Sequence, residues 1–402
     1  MVRFAYDDIA FVEHNDQVRA LFLDAFFFSL EKEELLRIGD YEIKDKAIVF
    51  SDDASPRMER RFSELLSAGF LRLRSMMYDK PACYIHRESG IPLMGSNAFG
   101  LIDRGTNIIE VRPMTGCNLC CIYCSVNNEK RQIDFVVEAD YIIQEFKKLA
   151  DYKGVEGIEA HIGPQGEPLL YKPLSRLIEG ISSIPNVSTI SIDTNATLLT
   201  TEKIDELVRA GLTRFNVSLN AMTPDKARKI AGRDYDLTHV LRCIEHISEV
   251  ADLIIAPVLI PGHNEEDIEK IVEFVRSLRP KERHSILLGI QNYLTYKHGR
   301  NPTRPWKLET FFSYLDDLEQ RYGMKLRFSQ EDFKIIASRS YPKPFRKDQI
   351  IEAEVVCEGR MANEKLAVAD GWVITVGRCR SAGRIRVKIS RSKHNIFYGY
   401  CV

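Results

Sequence analysis

Hydrophobic residues between positions 108 and 322 follow two alternating patterns. Short apolar runs predict buried strands, and longer segments with apolar residues three or four positions apart predict amphipathic helices. The predicted strands are 108–112, 157–162, 187–193, 214–219, 253–260 and 286–291, and the predicted helices are 135–149, 174–181, 201–210, 224–250, 265–278 and 308–322. Six strand–helix repeats indicate an α/β protein with a parallel sheet and with active residues at the carboxyl ends of its strands. The pattern alone fits either an incomplete (β/α)6 barrel or a doubly wound sheet.

The first 107 residues predict a separate α+β domain. Asn15 and Asp16 are typical helix caps, and the apolar residues that follow predict a helix to Leu30. A two-stranded pattern with turns near Gly39 and Asp45 comes next, and residues 56–71 predict a second amphipathic helix. Residues 76–104 are rich in Gly, Pro and Asn, which predicts a long loop that covers or contributes to a site.

The helical pattern fades after residue 330, so the central domain is predicted to span 108–330 and a small β-rich domain 331–402. Its predicted strands are 353–356, 366–369, 372–376 and 385–389. The domain is locally basic, which indicates either an anion site or a solvated face, through Arg378, Arg380, Arg384, Arg386, Lys388, Arg391 and Lys393.

Composition and net charge restrict the classes of partner that the chain is expected to bind. With 402 residues, 45% hydrophobic and 28% charged, the chain is an ordinary globular protein, and its net charge of −1 gives no reason to expect nucleic acid. No apolar run approaches a membrane span, and no secretion signal is evident at the start. Nine cysteines suit a reducing compartment, so we expect a cytoplasmic location and neither a membrane nor a nucleic-acid partner.

Residues 115–125 read T-G-C-N-L-C-C-I-Y-C-S, and they carry the strongest chemical signal. Cys117, Cys121 and Cys124 have a C-x3-C-x2-C spacing, which suits three corners of a [4Fe–4S] cluster. Cys120 is adjacent to Cys121, so both thiols are not expected to reach one cluster, and the fourth iron is expected to be open. A zinc site or buried thiols are the alternatives, but zinc usually needs a second cysteine pair that is lacking here. The role of Cys120 is left unassigned.

This spacing, with aromatic Tyr123 before the third cysteine, resembles the characteristic cysteine motif of the radical S-adenosylmethionine (SAM) superfamily. The resemblance implies the incomplete (β/α)6 barrel, a [4Fe–4S] cluster, and SAM bound to the open iron through its amino and carboxylate groups. Reductive cleavage of SAM would then give a 5′-deoxyadenosyl radical. In such enzymes the cofactor performs the chemistry, and the protein binds and orients it.

Further motifs follow the predicted strands in the order that the superfamily shows. A glycine–glutamate motif for the methionine amino group follows the second strand, with Gln165 in place of its usual first glycine. A motif that lies near the ligand follows the third strand, residues for the ribose or the carboxylate end the fourth strand, and a loop that packs on the adenine follows the fifth. The residues that this resemblance assigns to SAM are Gln165, Gly166, Glu167, Thr194, Asn195, Ser218, Asn220, Ile260, Gly262 and Gln291.

Two tyrosines are candidate catalytic residues. Tyr123 either packs beside the cluster or binds the open iron as a phenolate when SAM is absent. Tyr293, with Tyr296, His298 and Arg300, either shapes a substrate pocket or belongs to an ordinary loop.

Four other cysteines indicate a second metal. Cys83 lies in the N-terminal loop, and Cys357, Cys379 and Cys401 are each 22 residues apart near the chain end. Together they suit a four-cysteine site for mononuclear iron or zinc, and buried thiols are the alternative.

Residues 76–81, 102–107 and 114–126 resemble the methanogenesis marker proteins that C-methylate an arginine of methyl-coenzyme M reductase. That resemblance implies a cobalamin-dependent radical SAM methyltransferase whose partner is the reductase alpha chain or its peptide. The chain has no N-terminal doubly wound domain and no D-x-H-x-x-G cobalamin signature. We therefore expect cobalamin between the barrel and the C-terminal domain.

Two other functions fit the motifs. One is a cobalamin-independent radical SAM enzyme that modifies a peptide or RNA, although the near-zero net charge disfavours RNA. The other is a non-enzymatic iron–sulfur sensor, which the open iron and the ordered SAM motifs disfavour.

Overall fold

The computed structural model describes residues 1–278 and 284–402. The chain begins with short strands and two helices, which are β1 (Val2–Phe4), β2 (Ile9–His14), β3 (Gln17–Phe22), β4 (Phe26–Glu31), α1 (Lys32–Leu36), β5 (Tyr41–Lys44), β6 (Ala47–Phe50), α2 (Pro56–Phe70), β7 (Arg74–Ser75), β8 (Ala82–Ile85) and β9 (Gly100–Asp103). One antiparallel sheet has the order β1-β6-β5, and another has the order β2-β3-β4-β7. Helix α2 confirms the helix predicted at 56–71, and β5 with β6 confirms the predicted strand pair.

The helix predicted from Asn15 to Leu30 is wrong. This stretch forms the antiparallel strands β3 and β4, in which Val18, Ala20 and Phe22 are buried and alternate with partly exposed residues. A turn at Leu23 and Asp24, both with positive φ, separates the strands. Apolar residues are so dense here that they satisfy a helical period and a period of two at once, and pairing into a sheet decides between the two.

The long loop predicted at 76–104 contains strands β8 and β9. Strand β8 pairs in parallel with β11 (Asp134–Val137), which lies where the sequence pattern predicted the start of a helix. That helix therefore begins later, at Ala139.

The central region contains β10 (Ile108–Arg112), β11 (Asp134–Val137), α3 (Ala139–Lys153), β12 (Ile158–Ile162), α4 (Leu174–Ser182), β13 (Val187–Thr194), α5 (Thr201–Ala210), β14 (Arg214–Val217), α6 (Pro224–Ala231), α7 (Leu237–Val250), β15 (Asp252–Ile255), β16 (Val258–Leu259), α8 (Glu265–Ser277), β17 (Ile286–Leu288), β18 (Gln291–Asn292) and α9 (Leu308–Tyr322). The predicted elements are present with shifted ends. The helical stretch 224–250 is divided into α6 and α7, and the stretch 253–260 into β15 and β16.

These elements form a mostly parallel sheet of seven strands in the order β17-β15-β14-β13-β12-β10-β9. The six parallel strands follow one another in chain order, and β9 pairs antiparallel with β10 at one edge. A doubly wound sheet would reverse its strand order at a switch point. The sequential order is the one that the predicted (β/α)6 partial barrel requires, and it brings the carboxyl ends of all six strands to one edge.

The C-terminal region forms a closed five-stranded barrel in the order β19-β20-β21-β23-β22. Its strands are β19 (Ile350–Glu358), β20 (Glu364–Ala369), β21 (Trp372–Gly377), β22 (Arg384–Arg391) and β23 (Phe397–Cys401). The first four confirm the predicted strands, whereas β23 was not predicted. Trp372 and Phe397 pack edge to face inside this barrel, with ring centroids 5.4 Å apart.

A buried ion pair joins the sheet to the segment that leads to this barrel. The Lys153 ammonium lies 2.7 Å from Asp103 Oδ1, and neither side chain is exposed to solvent. Lys153 also donates to the Thr106 carbonyl and the Ser338 hydroxyl, and Asp103 accepts the Tyr341 backbone N–H. The pair therefore connects α3, β9 and residues 338–341.

We expect Lys153→Met to destabilise the protein by about 3–5 kcal/mol, because it leaves the Asp103 carboxylate buried without its partner. The free energy of unfolding from urea titration measures this. Lys147→Met on the same helix removes an exposed pair with Asp151 and should cost less than about 1 kcal/mol. Equal effects of the two substitutions would contradict the assigned role of the buried pair.

Candidate active site

A cavity of about 330 Å³ opens at the carboxyl ends of the parallel strands. Its walls come from the cysteine loop after β10 and from the ends of β12 to β18. Predicted site residues that line it are Cys117, Cys121, Tyr123, Cys124, Gly166, Glu167, Thr194, Asn195, Ser218, Gln291 and Tyr293. The structure thus brings together residues from five separate sequence motifs.

Hydrogen bonds to strand β11 and to Arg131 hold the cysteine loop in place. Thr115 donates its hydroxyl hydrogen to Asp134 Oδ1 at 3.0 Å, and Phe135 donates its N–H to the Thr115 hydroxyl at 2.9 Å. Arg131 donates to the Thr115 carbonyl. These bonds fix the loop at the edge of the cavity.

The three predicted cluster cysteines all face this cavity. Burial raises the pKa of Cys121 to about 12 and raises the pKa of Cys117 as well. Buried thiols in this state need a nearby positive charge to become thiolates, and bound iron supplies one. Within residues 1–278 and 284–402, no three His, Cys, Asp or Glu side chains converge on a single metal ion. Thiols spread around one cavity fit a cluster, in which each iron takes one thiolate, better than one zinc ion.

Glu167 is a buried carboxylate at the end of β12. Its Oε1 accepts hydrogen bonds from the Thr194 hydroxyl at 2.8 Å and the Leu169 N–H at 3.1 Å, and its Oε2 accepts the Asn195 N–H at 2.9 Å. Burial outweighs these bonds and raises the pKa of Glu167 to about 7. None of these partners is a cation, so the carboxylate can also accept a hydrogen bond from an added N–H donor such as the amino group of SAM.

The turn after β13 is bonded to the cysteine loop. Asn195 donates to Asn118 Oδ1 at 2.9 Å, and Asn118 donates to the Thr197 hydroxyl at 2.7 Å. The cysteine loop and the turn after β13 are therefore fixed relative to each other.

Tyr123 and Asn220 share a small chamber beside the cavity with Cys121. Asn220 donates to the Tyr123 hydroxyl at 2.9 Å and accepts the Val258 N–H at 2.8 Å. Burial raises the pKa of Tyr123, which favours its neutral form. Packing beside the cluster agrees with this environment, and iron ligation by Tyr123 stays a prediction.

Besides Asn220, three residues assigned to SAM do not line the cavity. Gln165 lies within 3.5 Å of the Ser125 hydroxyl, and its carbonyl accepts a hydrogen bond from Arg360 of the C-terminal barrel. Ile260 is fully buried under the loop after β16, and the Gly262 N–H is bonded to the Glu265 carboxylate. These three residues support the surrounding loops in this structure.

Only some residues of the loop after β18 line the cavity. Tyr293 is almost fully buried and donates to Asn301 Oδ1 at 3.0 Å, and Tyr296 also lines the cavity. Arg300 instead pairs with Glu129 at 3.2 Å, and His298 lines a gap against the C-terminal barrel.

Sequence reasoning missed Asn216 and did not assign Asp193 a role, although both line the cavity. Asn216 donates to Asp193 Oδ1 at 2.9 Å, and His161 lies 3.1 Å from the other oxygen. Burial lowers the pKa of His161, but the Asp193 carboxylate outweighs burial and raises it overall. Asn216 precedes Ser218 by two positions on an extended segment, so strand alternation was the available signal.

A second cavity of about 530 Å³ adjoins the first. Both are lined by Asp193, Asn216, Ala256 and Gln291. The rest of the second wall is largely apolar, and it includes Phe311, Phe312, Phe328 and Phe333.

The structure places the four cysteines of the predicted second metal site in two pairs. The Cys379 and Cys401 sulfurs lie 2.6 Å apart at the end of the C-terminal barrel, while Cys83 on β8 is hydrogen-bonded to Cys357 on β19. Neither pair alone supplies the four ligands of a tetrahedral iron or zinc site, so the second metal site stays a prediction.

Comparison with known proteins gives the family. The model of the radical SAM superfamily matches residues 111–275. An uncharacterized protein of Methanocaldococcus jannaschii, MJ0103, is 36% identical over 354 residues, which cover 81% of each chain. This chain belongs to the radical SAM superfamily. The GTP 3′,8-cyclase of Aquifex aeolicus is 28% identical over 184 residues, 44% of this chain and 55% of the cyclase.

Membership implies a [4Fe–4S] cluster and SAM, which agrees with the residues at the cavity. Among solved structures, Streptococcus suis SuiB bound to precursor peptide SuiA matches with a TM-score of 0.44 at 14% identity, covering 81% of this chain and 72% of SuiB. The radical SAM methyltransferase TsrM of Kitasatospora setae, with cobalamin and a [4Fe–4S] cluster bound, matches with a TM-score of 0.37 at 16% identity, covering 54% and 40%. No helix in the described residues is long and apolar enough to cross a membrane.

We expect SAM binding to weaken as pH falls through the pKa of Glu167. Below about pH 7 the empty site takes up a proton, so a ligand that needs the carboxylate should bind about tenfold more weakly per pH unit. Above that pH its affinity should level off. Calorimetry on the anaerobic cluster-loaded protein gives the dissociation constant at each pH.

Glu167→Gln should bind SAM weakly and without this pH dependence. Glu179→Gln, an exposed residue on α4, is the matched control and should retain the normal profile. A pH-independent dissociation constant in the unmodified protein would show that Glu167 does not bind the amino group.

Proposed function

We propose that this radical SAM enzyme is a cobalamin-dependent methyltransferase that C-methylates an arginine side chain of methyl-coenzyme M reductase. The observation that supports the proposal is the second cavity, which adjoins the first and shares Asp193, Asn216, Ala256 and Gln291 with it. The resemblance of residues 76–81, 102–107 and 114–126 supports the family assignment.

The residues of the first cavity have distinct roles in this proposal. Cys117, Cys121 and Cys124 hold the cluster, and Glu167 binds the SAM amino group. When bound, SAM and the reduced cluster supply a carbon radical that can abstract hydrogen. The Asn195 side chain is held against the cysteine loop, and it orients the bound cofactor beside the thiols.

An arginine substrate needs a buried acceptor for its guanidinium group, because removing that charge from water is costly. Besides Glu167, Asp193 is a carboxylate that lines the first cavity, and it also lines the second. Its bonds to His161 and Asn216 hold it in place. Asp193 can therefore pair with the guanidinium at the boundary between the two cavities.

Hydrogen abstraction is necessary because the arginine methylene carbons are not acidic. A side-chain base works only on protons whose acidity approaches its own. Neither Glu167, with a pKa of about 7, nor His161 can deprotonate such a carbon. A radical can remove a hydrogen atom from such a carbon, and the cavity provides a site for this reaction.

We place cobalamin at the second cavity and not at the expected position beside the C-terminal barrel. The gap between Ser96, Arg360 and Tyr398 at that barrel has a volume of only about 20 Å³. The second cavity, at about 530 Å³, is the larger of the two spaces, and its Phe311, Phe312, Phe328 and Phe333 side chains offer apolar contact to part of a corrin ring.

The test combines anaerobically purified, cluster-loaded protein with cobalamin, SAM, a one-electron reductant and an arginine-containing peptide of the reductase alpha chain. Mass spectrometry should find one added methylene on the arginine, and the gain should require cobalamin. A peptide with norleucine in place of the arginine and a Cys117→Ala protein are the controls, and neither should give product.

Formation of 5′-deoxyadenosine with this peptide, without cobalamin dependence and without methylarginine, would contradict the proposal. That result would favour a cobalamin-independent radical SAM enzyme. Protein that contains the cluster but forms no 5′-deoxyadenosine under any condition would favour a sensor.

A further inference from the structure

Six polar side chains form a closed ring of hydrogen bonds between the active-site cavity and the opposite end of the parallel sheet. Residues two positions apart on a strand point to the same face, so β12, β13 and β14 contribute two members each. The members are Glu159, His161, Ser191, Asp193, Arg214 and Asn216. Asp193 and Asn216 line the first cavity, whereas Glu159 and Arg214 line a cavity of about 520 Å³ at the amino ends of the strands.

The directions of these hydrogen bonds place a proton on both ring nitrogens of His161. Ser191 donates its only hydroxyl hydrogen to Glu159 Oε1 at 2.7 Å, so it can only accept from His161 Nδ1, 2.9 Å away. Burial raises the pKa of Asp193, but His161 and Asn216 outweigh burial and lower it. An ionised Asp193 has no hydrogen to donate, so its Oδ2 accepts from His161 Nε2 at 3.1 Å.

The ring carries no net charge in this state. Glu159 and Asp193 supply two negative charges, and Arg214 and His161 supply two positive charges. An unbalanced charge in a buried network is costly. A cation that binds to Asp193 would give the ring an excess positive charge, and loss of the His161 proton would restore neutrality.

Other charged groups that face His161 have partners of their own. Glu110 on β10 is bonded to two guanidinium groups. On the wall of the second cavity, which His161 also lines, the Arg327 guanidinium is bonded to Asp316 at 2.8 Å. The Asp193 side chain is 33% accessible, so an arriving cation can reach the carboxylate that His161 holds.

We infer that a substrate guanidinium binds to Asp193 in exchange for the His161 proton. The N–H bond at Nδ1 breaks, Ser191 accepts this proton and passes its own hydroxyl hydrogen to Glu159, and Glu159 releases it to solvent in the cavity at the amino ends of the strands. Ser191 then donates to Nδ1, and Nε2 still donates to Asp193. His161 is thus a positioning residue, and the inference rests on the proposed function, in which Asp193 pairs with the arginine.

Calorimetry in buffers of different ionisation enthalpy measures this exchange. The arginine peptide of the reductase alpha chain is titrated into cluster-loaded protein with SAM and cobalamin but without reductant, so that no reaction follows binding. At about pH 6.5, the ordinary pKa of histidine, His161 is more than half protonated before binding, because its pKa is raised. Binding should release about half a proton or more per peptide, and the affinity should rise with pH to a plateau. A peptide with neutral citrulline in place of the arginine should release none.

His161→Gln removes the exchangeable proton and keeps an N–H donor at this position. The variant should bind the arginine peptide without proton release, and more tightly than the unmodified protein at low pH, because no proton competes with the guanidinium. A purely structural role of His161 would instead weaken binding at every pH. His246→Gln is the matched control, since His246 is bonded to Asp205 at 2.8 Å away from both cavities, and it should behave like the unmodified protein.

Two outcomes would overturn the inference and leave the proposed function standing. In the first, the arginine peptide binds but releases no more protons than the citrulline peptide. In the second, proton release persists in His161→Gln. Failure of the arginine peptide to bind would overturn both the inference and the proposed function. If His161→Gln does not fold, the comparison of the two peptides on the unmodified protein decides.

Discussion

One backbone hydrogen bond fixes the distance between the cysteine loop and the buried carboxylate of Glu167. The Glu167 N–H donates to the Gly116 carbonyl at 2.7 Å. Gly166, with φ +77°, makes this approach possible, because a Cβ there would lie only 2.6 Å from the same carbonyl. Any other residue at 166 would separate the loop from the turn. Since Glu167 is also bonded to Thr194 and Asn195, this contact joins the ends of β10, β12 and β13 into one rigid unit.

The order of the central strands could be predicted from the sequence, because each strand and helix there has one dominant hydrophobic period. The region from Val18 to Leu30 could not, because its dense apolar residues fit two periods and only pairing between β3 and β4 decides. Strand β23 also depends on distant partners. It pairs in parallel with β21 and antiparallel with β22 to close the barrel, and local sequence contains no sign of that closure.

Part of the candidate site could likewise be predicted from the sequence, and part could not. Cysteines and strand-end residues such as Glu167 and Asn195 were predictable, because parallel strands bring short motifs to one edge of the sheet. The second cavity was not predictable, since its aromatic wall comes from α9 and from residues 326–333, which carry no motif. Likewise, even spacing of Cys357, Cys379 and Cys401 along the chain gave no information on which sulfurs meet in space.

The departure from the family pattern at Gln165 also explains how the C-terminal barrel is placed. A glycine at this position has no side chain, whereas the side-chain carbonyl of Gln165 accepts a hydrogen bond from the Arg360 guanidinium. Arg360 is buried, which lowers its pKa to about 10. Its backbone carbonyl accepts the Gln132 N–H at 2.8 Å. A buried guanidinium requires an acceptor, and the Gln165 side-chain carbonyl supplies one. Gln165 therefore attaches the C-terminal barrel directly to the turn that holds Glu167.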